Sequence, residues 1–282
     1  MPPVLTIARL TILEASRRRL LLALGGLTLL VVLLSSWGFS RLPGMKNVSP
    51  AEVRLAASQL TILVAFMFSG VLALGSTLVA APAVASDIES GIALAILPRP
   101  IRRVEVLMGK WLGLAILVVT YAAASGLLEF LGIRIATGYA PPHPIVTLLF
   151  IAAEGLVLMS LALLLSTRLP PMTGGVIALV LFFVGWIGGI ALTIGQTFQN
   201  DTITNIGTVS QYLIPTDGLW HGAIFNMEPS DFLALAKAAG RARAGNPFFA
   251  EAPPTELYLI CVALWLAIIL FLANWSFAKR DL

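Results

Sequence analysis

Residues Ile145–Leu165 read IVTLLFIAAEGLVLMSLALLL, an apolar run broken by one ionisable side chain, Glu154. A hydrocarbon core of about 30 Å takes about 20 apolar residues in helix. Unpaired backbone groups cost several kcal/mol each there, which excludes open loops and sheet edges. The stretch therefore predicts a membrane-spanning helix. Five more apolar runs flank it, at about 20–39, 60–85, 111–133, 173–195 and 257–277. The composition agrees. Of 282 residues, 58% are apolar and 11% charged, against about 25% charged in an average soluble domain. The expected fold is an all-α integral membrane protein with six transmembrane helices, a single transmembrane domain over residues 1–282.

The first run follows Arg17-Arg18-Arg19, as the apolar part of a signal peptide would. It is longer than the usual h-region of about 7–15 residues, and no small-x-small site ends it, so it reads as a retained span. Six spans put both termini on one side. On that side stand eleven Lys and Arg, among them Arg9, Arg17, Arg18, Arg19, Arg99, Arg102, Arg103 and Lys110; seven stand opposite, three of them in one long loop. The positive-inside rule then predicts cytoplasmic termini. The net charge of +4 reads as membrane orientation and anionic-lipid contact, with no nucleic acid as partner.

The loop between spans two and three carries the most information. Pro82 bends or ends the second span. Ser86-Asp87-Ile88-Glu89 then has the form of a capping box, which predicts a new helix. Pro98 and Pro100 stop it at Leu97. About 12 residues make roughly 18 Å of helix, with Ile88, Ile92 and Ile96 along one face. Geometry alone leaves two readings open: an interfacial connector with basic anchors, or a docking element.

The residues of this loop carry a resemblance. Ala85-Ser-Asp-Ile-Glu-Ser-Gly91, then Leu97-Pro-Arg-Pro-Ile-Arg-Arg103, then Leu107-Met-Gly-Lys110 resemble the signature of the type-2 ATP-binding-cassette (ABC) transporter permease family. Ile92 departs from it, where many members have Thr. The ending Phe277–Leu282 is similar to that of the subgroup containing copper-enzyme maturation permeases. The resemblance implies that residues 86–110 form an amphipathic coupling helix and loop seated in a separate cytoplasmic ABC ATPase. Its ATPase-coupling residues would be Asp87, Glu89, Ser90, Gly91, Pro98, Arg99, Pro100, Arg102, Arg103, Gly109 and Lys110. It also implies two ATPase copies, with ATP and Mg held by them, and a second permease subunit as homodimer or close heterodimer. This chain lacks the phosphate loop itself: Gly109-Lys110 is followed by Trp111, and no Gly stands five residues before Gly109.

Among the remaining polar groups, Glu154 stands near mid-membrane, where an ionised carboxylate costs at least about 2.5 kcal/mol. Two readings stay open for it: a group on the translocation path or subunit interface, or a hydrogen-bonded structural carboxyl. Glu129 is expected to pair with the nearby Arg134. Gly185 and Gly189 form a G-x-x-x-G that serves either a dimer contact or packing within the subunit. The outer segment 196–254 is expected to form a helical lid on the membrane. It contains a Pro-x-Asp-Gly turn at Pro215–Gly218 and a short helix capped by Ser230-Asp231. Cys261, His143 and His221 lack ligand spacing, so no metal is expected. No catalytic constellation is present, which points to a non-catalytic membrane subunit. The reading that follows is the permease subunit of an ABC exporter in the cell membrane. The alternative is a self-contained ion-coupled transporter or channel using Glu154; the absence of an evident inverted repeat argues against it. A small amphipathic or hydrophobic compound is the preferred substrate class.

Overall fold

The computed structural model describes residues 3–17, 19–44, 49–90, 102–230, 232 and 246–280. These contain α-helices and one 3₁₀ turn, with no strand among the described residues. The helices are α1 (Pro3–Ser16), α2 (Arg19–Phe39), α3 (Pro50–Ala80), α4 (Pro82–Glu89), α5 (Arg103–Thr137), α6 (Pro144–Ser166), α7 (Pro171–Phe198), α8 (Asp201–Leu213), α9 (Thr216–Met227) and α10 (Glu256–Ala278). Among the described residues, six spans are long and apolar enough to cross a membrane: α2, α3 continued through α4, α5, α6, α7 and α10.

The most buried of the spans is α6, the helix read first in the sequence. Val157, Leu158, Met159, Ala162 and Leu163 have no exposed surface. The outermost is α2, whose Leu22, Leu29, Leu30, Leu33 and Leu34 point away from the protein. For a span in hydrocarbon this costs nothing, because lipid is as apolar as the side chain it touches.

Where the second span ends, the structure corrects the sequence reading. Ala81 keeps helical angles and its N–H still reaches the Thr77 carbonyl at 2.8 Å, and α4 starts at Pro82 as its first residue. Proline suits that place, since its missing N–H would be unpaired there anyway. Ser86 consequently lies inside a helix that has already begun. Its hydroxyl donates back to the Pro82 carbonyl instead of capping, a common use of serine in helix interiors. The capping box is not formed. The rest of the expected coupling helix, Gly91 to Leu97, lies outside the described residues, as do Pro98, Arg99 and Pro100.

The N-terminal segment forms a helix that the charge count did not anticipate. Ala8, Thr11 and Ala15 bury one face of α1 against the start of α5. A Cβ on Gly109 would fall 2.7 Å from Ile7 Cβ and 2.9 Å from the Val4 carbonyl, and one on Gly113 would fall 2.6 Å from the Ala8 carbonyl. These two glycines let α1 lie backbone-close on α5.

The segment after α7 turns back along the bundle. Gln199, at φ 54°, ends α7, and α8 returns antiparallel along it. Ser210 donates to the Val184 carbonyl at 3.4 Å. Val184 stands midway along α7, so the returning helix descends well into the depth of that span. Residues Pro215–Gly218 make no turn. Thr216, Asp217 and Gly218 form the first turn of α9, where Asp217 suits the positive end of the helix dipole. Leu219, Trp220, Ile224 and Met227 are then buried, with Gly222 against Phe150 of α6. Between α5 and α6, Tyr139 donates to the Met227 carbonyl and His143 N–H donates to that of Asn226. Burial, with the Glu228 carboxylate nearby, raises the Tyr139 phenol above its ordinary range. Segment 201–227 is thus a helical hairpin whose α9 arm is buried in the bundle, while α8 lies along α7 with Gly207 as its one buried residue. Asp231 and residues 233–245, where the second short outer helix was expected, lie outside the described residues.

Candidate coupling site and intramembrane polar centre

Two polar constellations among the described residues interrupt this apolar structure. The first joins α4 to α5. Lys110 is 7% exposed, and its ammonium donates to Asp87 at 2.5 Å and to the Ala83 carbonyl. An unpaired ammonium at that burial would cost several kcal/mol, so both partners on α4 hold the lysine and the two helices together. Glu89 and Ser90 are exposed at the tip of α4, with the Ser90 hydroxyl donating to the Ser86 carbonyl at 2.7 Å.

The far side of the undescribed stretch is anchored as firmly. The Arg102 N–H donates to Glu105 at 2.8 Å, closing the N-terminus of α5. Arg103 reaches across to α10 and donates to the carbonyls of Phe277, Ala278 and Arg280 at 3.3, 3.0 and 2.8 Å. Phe277 and Ala278 are the last two residues of α10, and a cation is favoured at a helix C-terminus. Arg168, just after α6, donates to the Ser276 hydroxyl and carbonyl at 2.9 and 3.2 Å, and Arg280 donates to the Thr167 carbonyl. Both described ends of the 86–110 segment are therefore tied to α1, α5, α6 and α10 at one end of the bundle.

The second constellation lies at mid-bundle. Glu154 on α6 accepts from the Ser69 hydroxyl on α3 at 2.8 Å. Asp217, at the start of α9, accepts from Gln211 Nε2 at 2.9 Å and lies 3.3 Å from His221 Nδ1. Both carboxylates are 3% exposed. Gly189 makes room for Asp217: a Cβ there would fall 2.0 Å from its carboxyl. Gly185 does the same for Thr216, at 2.9 Å. Both glycines of the G-x-x-x-G face the hairpin of their own chain. Phe66 packs at a tilt against Trp186 and Trp220, at 5.4 and 5.5 Å between centroids. This centre brings Glu154, which the sequence reading singled out, together with Asp217, read there as a turn residue, His221, set aside there as a metal ligand, and Gln211, which that reading passed over.

Glu129 takes a different partner from the one expected. Its Oε2 accepts from the Ser35 hydroxyl of α2 at 2.9 Å, while Arg134 is exposed. Five positions apart on one helix, the two side chains point to different faces.

Comparison with known proteins places this geometry. Residues 5–282 match the model of a family described as ABC-2 family transporter protein. The chain belongs to the ABC-2 transporter family. No curated protein matches the sequence. Membership makes the chain a multi-pass membrane protein and a permease subunit of an ABC transporter, and it implies pairing with an ABC ATPase subunit. In an ABC-2 permease the Asp87–Lys110 joint lies where the family resemblance placed ATPase coupling.

Proposed function

We propose that this ABC-2 permease is the membrane half of an exporter in the cell membrane, with its termini in the cytoplasm. Two copies of a cytoplasmic ATPase, holding ATP and Mg, drive two permease chains through residues 86–110. The buried Asp87–Lys110 pair carries this reading. It makes α4 and α5 one mechanical unit, so force on the intervening loop has no slack to take up. Arg103 extends that unit to α10, and Gly109 and Gly113 extend it to α1. The charge bias of the loops supports the orientation.

Glu89→Ala and Gly91→Pro test it. Glu89 is exposed at the tip of α4, and Gly91 follows it two residues later in the sequence. In proteoliposomes with the partner ATPase, transport per ATP hydrolysed is expected to fall by about tenfold, a loss of about 1.4 kcal/mol of coupling. The permease should keep its thermal unfolding midpoint. Unchanged coupling in both variants sinks the docking role.

The competing reading is an ion-coupled carrier built on Glu154, which is buried with a neutral partner at mid-bundle. Transport that persists in vesicles without any ATPase would favour it.

A further inference from the structure

Three helices set an aromatic ring one turn away from a contact of the two mid-bundle carboxylates. On α3, Phe66 stands three residues before Ser69, which donates to Glu154. On α7, Trp186 stands three residues before Gly189, against which Asp217 lies. On α9, Trp220 stands three residues after Asp217. Residues three apart on a helix are neighbours on one face. The rings accordingly meet. Phe66 has the two indoles beside it, inclined by 33° and 57°, and Phe248 against it edge-on at 5.3 Å. Rings set at such angles turn their faces in different directions, as in the aromatic cages that receive ammonium groups.

The chain leaves three features of this cluster unused. Glu154 accepts one hydrogen bond among the described residues, from Ser69, although a carboxylate has about four acceptor sites. Asp217, within electrostatic reach of it, is held instead by Gln211 and His221. The indole N–H groups of Trp186 and Trp220 are buried with no hydrogen-bond partner among the described residues, and Trp220 is 2% exposed. A buried donor left unpaired is costly, so each calls for an acceptor from outside the described chain. Gly70, one turn beyond Phe66 on α3, is half-buried, and a Cβ there would meet nothing within 4 Å. An anion with spare acceptor sites, spare donors and room beside aromatic rings call for one kind of occupant.

We propose that this cluster is the substrate subsite of the permease and takes a lipophilic organic ammonium ion that carries an acceptor oxygen. The ammonium lies against the aromatic rings with Glu154 as its counter-ion, since a charge taken out of water has to be paired. The acceptor oxygen takes an indole N–H. The apolar body of the ligand occupies the room beside Gly70. As a substrate subsite it rests on the transporter reading; as a binding site it is measured on the permease alone. Absent binding therefore leaves ATPase coupling standing, and absent coupling leaves the site standing.

The full chain in nanodiscs, without any ATPase, is titrated calorimetrically with benzoylcholine, with empty nanodiscs as the blank. The neutral carbon isostere, 3,3-dimethylbutyl benzoate, keeps the shape and the ester but not the charge. Saturable binding of benzoylcholine about tenfold tighter than that of the isostere is expected. Glu154→Gln keeps an acceptor for Ser69 and removes the counter-ion. It should weaken benzoylcholine about tenfold and leave the isostere unchanged. Gly70→Leu fills the room from a position where a Cβ meets nothing, and should abolish saturable binding of both ligands. No saturable binding to the parent, or equal affinity for the two ligands, overturns the proposal. So does a benzoylcholine affinity that neither substitution moves. If Glu154→Gln fails to fold, as read by its thermal unfolding, Gly70→Leu and the isostere comparison decide the matter.

Discussion

Lys110→Ala is expected to destabilise the permease by about 3 kcal/mol, read as loss of thermal stability in detergent. Removing one member of a buried ion pair costs about 3–5 kcal/mol, because the other charge stays buried without its partner. The lower end applies here, since the Asp87 side chain keeps 17% of its surface. The Ala83 carbonyl loses its ammonium donor in the same change. Asp87→Ala with Lys110→Ala should recover part of the loss, because the orphaned carboxylate is gone. On the proposed function, both variants should also lower transport per ATP hydrolysed, since α4 and α5 would then move separately. A Lys110→Ala protein as stable as the parent, or a double variant no more stable than the single, would show that the pair is incidental to the joint.

That joint shows where sequence reasoning reached and where it stopped. The spans were legible because an uninterrupted apolar run of span length has one stable solution in lipid. Their cores fell where expected, and the helices only ran further into the interfaces, as α5 does from Arg103 to Thr137. Lys110 was legible as part of a motif, but its partner was not. Asp87 stands in the local pattern of a capping box, and nothing in that pattern shows that Pro82 starts the helix first. Local signals compete in this way when two helix starts lie four residues apart, and the one that pre-sets φ acted first.

The same competition hid the hairpin. Pro215-Thr-Asp-Gly218 satisfies the residue preferences of a turn, but Asp217 also satisfies those of a helix N-terminus. Tertiary context chose the helix. Asp217 finds room beside Gly189, and the Tyr258 hydroxyl holds the Pro215 carbonyl at 3.1 Å. Neither contact can be read along the chain, since each joins residues far apart in sequence. By contrast, α1 left a readable trace in the spacing of Val4, Ile7, Ala8 and Thr11 along one face.

Gly207→Val is the substitution expected to do the most damage outside the joint. Hairpin formation depends on α8 lying against α7 at backbone distance. A Cβ on Gly207 would fall 2.4 Å from the Leu192 backbone N and 2.5 Å from its Cα. Those atoms are helix backbone, in the last third of α7, and cannot shift as a side-chain tip can. Overpacking of a tight contact costs about 1–3 kcal/mol and sometimes more; with backbone on both sides, about 3 kcal/mol is expected here. The effect should travel. Displacing α8 displaces α9, and with it Asp217 and Trp220, so the mid-bundle polar centre loses its geometry. Transport should therefore fall by more than the fraction of protein that unfolds. Gly70→Ala supplies the contrast, because a Cβ there meets nothing within 4 Å. That change should stabilise α3 by about 0.5–1 kcal/mol through reduced chain entropy. Thermal unfolding of the two variants beside the parent reads the difference. If Gly207→Val matches the parent in both stability and transport, α8 does not pack on α7 as described.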